Sequence, residues 1–360
     1  MSILIFILIL VALILVHEFG HFVVAKFFKI KVEEFGIFFP PRLFKIKKGE
    51  TTYSFNALPF GGFVRIFGEN YNEHASEPRS FAGKPRYVQA AVVVAGVVMN
   101  VVFAWGMLSV GYMAGLPTSA SHDGLGMVRD AQTLVVGVLP GSPADKSDVK
   151  ARDVIVGVGT ATASGTGEDA AQVRQFIAEH ENESIVLMIE RAGEERAFVI
   201  RAEEGLIEER KVVGLLFDDV GLLTLPPHLA LVEGARLTYD MTVAIAQGLG
   251  TFFAQIARGV ADFNSVAGPI GIVNIGADTI QGGFAAAAML TALISINLAI
   301  INLLPIPGLD GGRLVIIAVE GVLRRPVSRK LTVALTVVGF ALLITLMIVV
   351  SVNDIARLVG

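Results

Sequence analysis

Cysteine is absent from the 360 residues. Its absence excludes disulfide staples, thiolate metal sites, iron–sulfur clusters and cysteine nucleophiles together. It leaves the redox compartment open. Charge is also scarce: Asp, Glu, Lys and Arg make up 17% of the chain, where soluble domains carry roughly 25%. The net charge of −4 provides no basic face for nucleic acid and no field for an acidic substrate. Hydrophobic residues reach 53%, too many for a chain dissolved in water throughout. The composition describes an integral membrane protein.

The apolar residues are concentrated in runs. Ser2 to Ala25 is broken only by His17, Glu18 and His21, while Val88 to Leu116 and Thr279 to Leu309 contain no charge. Leu331 to Asn353 is a fourth run. A bilayer core of about 30 Å is crossed by about 20 helical residues, so four transmembrane helices are expected. The first run lacks a basic leader and an A-x-A cleavage site, which favours a retained helix over a signal peptide. Between the runs, residues 26–87 hold eleven basic against six acidic residues, and residues 311–330 hold five against one. The block 119–235 holds ten against twenty. Positive loops stay in the cytoplasm, so the acidic block and both termini are expected outside it.

The acidic block reads as a small β-rich domain over 118–226. Thr133–Leu139, Ile185–Ile189 and Arg196–Ile200 have strand patterns. Ala170–Glu179 reads as a helix, Pro140-Gly141-Ser142-Pro143 as a turn and Ala161–Gly167 as a loop. Within 227–278, the stretch from Pro227 to Asn264 has helical periodicity with scattered polar residues, as an interfacial helix has. The remaining parts, 1–117 and 279–360, form the two halves of a membrane core.

His17-Glu18-Phe19-Gly20-His21 is an H-E-x-x-H. Residues four apart share one helix face, so both imidazoles can meet one metal ion while Glu18 reaches a water as general base. Polar residues at a helix end would give the same five letters. Three ionisable groups inside an apolar helix are costly, however, and such groups mark function. A catalytic zinc site needs a third protein ligand and an open position. Glu33 and Glu34 lie outside the span. Asp310 ends the uncharged third run, at a depth that suits His17, and its carboxylate needs a partner. The other reading is a helix-end Asp facing water.

Pro305 and Pro307 break any regular helix before Asp310, and irregular backbone at membrane depth lines a cavity or is covered by protein. Asn297 and Asn302 lie on this segment, either as substrate contacts or as helix–helix hydrogen-bond partners. Ser54 to Arg65, with Gly61, Gly62, Phe63 and Val64, is too short to span and too apolar for a cytoplasmic loop. It reads either as a membrane-dipping β-hairpin whose edge could add a peptide strand, or as a plain buried turn.

Together, the H-E-x-x-H in a first span, the N-x-x-P-x-P-x-L-D-G from Asn302 to Gly311 and the F-G-G-F loop from Phe60 to Phe63 resemble the site-2 proteases. These are intramembrane zinc metalloproteases, and the likeness is to the bacterial RseP-type branch over nearly the whole chain. Gly268-Pro269-Ile270-Gly271 also matches a segment that relatives carry before the third span. The resemblance implies Zn2+ held by His17, His21 and Asp310, with Glu18 activating water. It implies that Asn302, Pro305 and Pro307 hold the substrate backbone, that Asn297 shares that segment, and that Gly61 to Val64 lie in a membrane-reentrant β-loop. Val136 to Ala144 followed by Arg152-Asp153-Val154-Ile155 resembles a PDZ domain, with Asp148-Val149 and Arg152-Asp153 where the usual pattern has G-L and G-D. The second-span motif G-P-x-x-N reads Gly96-Val97-Val98-Met99-Asn100, without its proline.

The implied fold is a polytopic α-helical membrane protein with a reentrant β-hairpin and an inserted extracytoplasmic PDZ-like domain, placed in a bacterial inner membrane. The implied reaction is hydrolysis of a peptide bond in or beside the transmembrane helix of a single-pass protein, such as an anti-sigma factor or a signal-peptide remnant. The PDZ-like domain would exclude bulky substrates or contact a peptide. A non-catalytic PDZ-bearing membrane scaffold would have no use for Glu18. A metal-dependent transporter would show broken helices in both halves, and only one segment is broken.

Overall fold

A computed structural model describes residues 2–69, 77–139, 141–191, 193–207, 210–260, 269–325 and 327–359. The chain divides into two compact units, Met1–Gly111 with Ala230–Gly360, and Tyr112–Leu229.

The first unit opens with α1 (Ser2–Phe27). Its aliphatic sequence gives a helix about 39 Å long, at 1.5 Å per residue. It stops where Lys29 turns left-handed (φ 57°) and Ile30 N–H returns to the Ala25 carbonyl, a Schellman closure made without glycine. Strands β1 (Val32–Lys48) and β2 (Thr51–Ile66) follow, joined by a turn at Gly49-Glu50. Ser54 to Arg65 is therefore most of one long strand of a larger hairpin rather than a hairpin of its own. Glu34 to Ile37 are flanked on both sides, by Thr52 to Phe55 and by Gly62 to Arg65. The bend between those flanks falls near Gly61, whose φ of 75° suits a residue without Cβ. Helix α2 (Arg86–Ala114) comes next. Ala25, Ile30, Val32, Ile66, Phe81, Val88, Val92, Val93 and Ile317 form a common core at the hairpin base.

Among its described residues, the second unit has one seven-stranded sheet with two short helices and a separate small strand pair. Its elements are β3 (Leu116–Ser119), β4 (Arg129–Val138), α3 (Pro143–Lys146), β5 (Val154–Gly159), β6 (Ser164–Thr166), α4 (Ala170–Glu179), β7 (Ser184–Arg191), β8 (Glu194–Arg201), β9 (Glu203–Ile207), β10 (Arg210–Val212) and β11 (Leu215–Leu223). The sheet order is β3-β11-β4-β5-β7-β8, with β6 on β5, and β9 pairs with β10. The stretch expected to be a loop, 161–167, thus contributes strand β6. Ile185, Leu187 and Ile189 on β7 alternate into a core with Val135, Ile155, Val173 and Ile200. Asp169 caps α4 by accepting from the Ala171 and Gln172 N–H groups. Pro140 of the expected turn lies outside the described residues.

The chain returns to the first unit through α5 (Pro227–Arg258), followed by α6 (Pro269–Ile280), α7 (Phe284–Leu303), α8 (Asp310–Leu323) and α9 (Arg329–Val359). Residues 261–268, including Asn264 and Gly268, lie outside the described residues. Gly234 on α5 sits against Ser109 of α2, and Trp105 Nε1–H donates to the Leu231 carbonyl at 2.8 Å. Among the described residues, α1, α2 and α7 are long and apolar enough to cross a membrane, and α9 carries a shorter apolar stretch, Lys330–Ala341. The third uncharged run is helical only from Phe284 to Leu303: Leu304 to Leu309 are irregular and α8 starts afresh at Asp310.

Candidate metal centre

His17 and His21 lie one helical turn apart on α1, and Asp310 is the first residue of α8. The break before α8 aims Asp310 at them. Gly311 and Gly312 lie against the carbonyls of Leu303, Leu304 and Ile306, where a Cβ has no room, so the irregular segment folds tightly over the start of the helix. His17 Nε2 lies 3.0 Å from Asp310 Oδ2, His21 Nε2 lies 3.3 Å from the same oxygen, and the two imidazole nitrogens are 3.2 Å apart.

These residues fit a zinc ion. Bonds of about 2.0–2.1 Å in tetrahedral geometry put donor atoms about 3.3 Å apart, close to the observed triangle. Apart from the two imidazole nitrogens that would share its cation, Asp310 Oδ2 is buried without a hydrogen-bond partner among the described residues. His21 Nδ1 lies 2.8 Å from the Val92 carbonyl, which holds the proton on that nitrogen and leaves Nε2 as the donor to a metal. His17 is buried, 7% exposed, and its Nδ1 lies 3.3 Å from the Asn100 amide. A dication, the Asp310 carboxylate and the Glu18 carboxylate sum to zero charge, which a low dielectric tolerates.

The triangle opens on a cavity of about 380 Å³. Glu18, Phe63, Val64, Pro307 and Asp310 line it with the two histidines. Gly62 also lies close, for a Cβ there would be 3.8 Å from Glu18 Cγ. Gly61 sits at the strand bend against Phe39. On one side Gly62 to Arg65 pair with Glu34 to Ile37, and among the described residues no strand pairs with the other side. Asn302, Pro305 and Asn297 do not line the cavity. The Asn297 amide donates to the Leu293 carbonyl of its own helix at 2.9 Å. The Asn302 side chain has no hydrogen-bond partner among the described residues, and Pro305 lies exposed in the irregular segment.

Sequence reasoning missed Glu69, Arg313, Thr332 and Thr336, which line the same cavity. Arg313 follows Asp310 by three residues, a helical spacing that was available as a signal. Its guanidinium donates to the Glu69 backbone carbonyl and lies 5.4 Å from the Phe81 ring centroid. Burial pushes the Glu69 carboxyl above its ordinary pKa, with Arg313 pulling the other way. The Val92 carbonyl that holds His21 carries no signal in the sequence, because every residue has a carbonyl.

Comparison with known proteins gives a consistent result. A family model described as Peptidase family M50 matches residues 5–346. A Clostridium acetobutylicum protein provisionally named a zinc metalloprotease is 31% identical over 344 residues, covering 95% of this chain and 94% of that protein. Zinc metalloprotease RasP of Oceanobacillus iheyensis is 32% identical over 316 residues, covering 86% of this chain and 69% of that one. The chloroplastic membrane metalloprotease ARASP of Arabidopsis thaliana is 30% identical over 325 residues, covering 87% and 69%.

Proposed function

Because the chain belongs to peptidase family M50 and is a zinc metalloprotease, we propose that it hydrolyses a peptide bond within or beside the transmembrane helix of a single-pass membrane protein. The observation that carries this reading is the near-equilateral triangle of His17 Nε2, His21 Nε2 and Asp310 Oδ2, set beside Glu18 in a cavity that a free strand edge also lines. In this reading the three residues hold the ion. When bound, zinc supplies a Lewis acid that polarises a carbonyl and lets water lose a proton near neutral pH.

The chain's own groups do the rest. Glu18 accepts the proton of the attacking water and passes it to the leaving amine. A helical substrate keeps its peptide groups in i→i−4 hydrogen bonds and must unwind before it can react. The open side of Gly62 to Arg65 offers backbone donors and acceptors to the extended segment, as strand addition does. Phe63, Val64 and Pro307 line the cavity around it. Asn302 stands outside the cavity with its side chain free among the described residues, and in this reading it meets the unwound peptide beyond the cavity. Pro305 keeps the segment before α8 from closing into helix. Asn297, whose amide is already engaged with Leu293, serves the helix rather than the substrate.

Charge distribution supports a cytoplasmic position for 26–87 and 311–330, an outer position for the acidic domain and both termini, and a fourth crossing by α9. In this reading the site lies toward the cytoplasm of a bacterial membrane, with the part of the β1–β2 hairpin around Gly61 to Val64 dipping into the bilayer. The acidic unit acts as a PDZ-like size filter. Arg174 Nη2 donates to the Phe217 carbonyl of β11 at 3.2 Å, so a peptide adding along β11 at that carbonyl would have to displace it. Exclusion of bulky substrates is therefore the better supported role than peptide capture. The preferred substrates are remnants already trimmed outside the membrane, such as anti-sigma factors after a first cut or signal-peptide remnants.

The test is cleavage of a single-pass model substrate in detergent by wild type and by Glu18→Gln, with zinc content measured on both. Wild type is expected to cut, and Glu18→Gln to hold stoichiometric zinc without cutting. Equal cleavage by both, or none by either at full zinc, overturns the reading.

A further inference from the structure

A ring nitrogen that gives its lone pair to a cation carries no proton, so a neutral imidazole bound through Nε2 has its one proton on Nδ1. His17 turns Nε2 toward His21 and Asp310. Its Nδ1–H then needs an acceptor, and the polar group beside it is the side-chain amide of Asn100 on α2. Asn100 is fully buried. As placed, its Nδ2 faces Nδ1 at 3.3 Å, so a donor meets a donor, while Asn100 Oδ1 is buried with no partner among the described residues. Amide nitrogen and oxygen exchange positions on a half-turn of the carboxamide, and the hydrogen-bond network decides between the two orientations. One half-turn replaces the donor–donor clash with a hydrogen bond: Oδ1 gains a donor and Nδ1–H gains an acceptor, while the amide N–H groups take the position Oδ1 leaves.

We propose that Asn100 is a positioning residue whose side-chain oxygen accepts the Nδ1–H of His17, fixing the tautomer and ring orientation with which His17 meets zinc. The inference rests on the reading of His17 as a ligand. Two further contacts support it. Ser295 Oγ donates to the Asn100 backbone carbonyl at 2.8 Å, and Ser295 is itself fully buried, so α7 holds the backbone from which the amide projects. His21 is held in the same way from the same helix, by the Val92 carbonyl. Helix α2 therefore carries the outer hydrogen-bond partner of both histidines. Such partners orient a ligand and raise its basicity, and their loss typically weakens metal binding about 10- to 100-fold.

The experiment measures zinc affinity by chelator competition, and the visible spectrum of the cobalt(II) form, for wild type, Asn100→Leu, Asn100→Asp and His17→Ala. Asn100→Leu, of similar size but without an acceptor, is expected to bind zinc about 10- to 100-fold more weakly and to shift the cobalt bands. Asn100→Asp presents acceptors only and is expected to keep both the bands and the affinity within a few-fold. Wild-type affinity in Asn100→Leu overturns the proposal. So does an Asn100→Asp variant that weakens binding as far as Asn100→Leu, since that would mean the amide acts through its N–H. If Asn100→Leu fails to fold, the Asn100→Asp result alone decides. His17→Ala separates the two levels. Undiminished zinc binding there removes His17 from the ligand set, whereas zinc loss there with none in Asn100→Leu removes only the role of Asn100.

Discussion

A Cβ built on Gly96 of α2 stands 2.6 Å from Nε2 of His21, and 2.7 Å from Cε1 of His17. The metal-facing edge of both imidazoles thus rests on a position where only a hydrogen fits. Across the same crossing, Gly20 of α1 lies against the Ala95 carbonyl. Small residues on both helices let their backbones approach closely. Gly96→Ala should therefore push the imidazoles out of their triangle, and overpacking of this kind costs about 1–3 kcal/mol. The expected result is zinc well below one ion per chain by elemental analysis, with a lowered thermal transition in detergent. Full zinc with an unchanged melt would show that the rings have space to retreat.

Asp310 supplies the only carboxylate in the triangle, and its Oδ2 is buried. Asp310→Asn keeps the shape and removes the charge that balances a dication. Zinc occupancy after dialysis against a weak chelator should fall well below that of wild type, and Asp310→Glu, one methylene longer on a tightly folded turn, should not restore it. An Asn variant that keeps wild-type occupancy would remove Asp310 from the ligand set.

Much of this site was legible because its chemistry is local or costly. His17 and His21 share a helix face by spacing alone, and Asp310 stands out because a carboxylate closes an otherwise uncharged run. The prolines foretold the irregular segment from Leu304 to Leu309. In the acidic unit, short apolar runs located β4 and β7 and alternation located β8, each to within a few residues. The long hairpin was not legible. Polar residues and a Pro-Pro pair interrupt β1, so apolar composition marked only the part of β2 from Ser54 to Arg65. Arg313, Glu69 and Asn100 were missed or unassigned for another reason. Their importance comes from which backbone or ring they meet across the fold, and no spacing rule carries that.

Arg313 ties the start of α8 to the base of the hairpin, just past the end of β2. Its guanidinium donates to the Glu69 carbonyl and lies over the Phe81 ring, 5.4 Å from its centroid, Phe81 being a member of the core at the hairpin base. A charged hydrogen bond contributes about 1.5–3 kcal/mol, and a cation–π contact about 0.5–1 kcal/mol more. Arg313→Ala should lower thermal stability in detergent by a few kcal/mol while leaving zinc stoichiometry intact, because the residue touches none of the triangle atoms. Arg313→Lys should recover only part of the loss, since an ammonium cannot both reach the carbonyl and spread over the ring as a guanidinium does. Complete rescue by lysine would mean that charge alone matters at this position.

Glu50, at the β1–β2 turn, accepts hydrogen bonds from Lys26 Nζ at 2.7 Å and from Arg79 Nη2 at 2.6 and 2.7 Å. It thereby ties the turn to the end of α1 and to the segment preceding α2. These hydrogen bonds and the two positive charges hold its carboxyl below its ordinary pKa of 4.5. A carboxyl depressed in the folded state stabilises the fold above its unfolded pKa, and that contribution disappears as pH falls through the lower folded value. The group is near the surface, so the effect should be at most about 1 kcal/mol and should shrink as salt rises. Glu50→Gln, which cannot ionise, should melt below wild type at pH 7. The gap should narrow as pH drops beneath 4.5 and close once Glu50 is protonated in both states. Melting curves taken from neutral to acidic pH at two salt concentrations check this, and a gap independent of pH would show that shape rather than charge holds the turn.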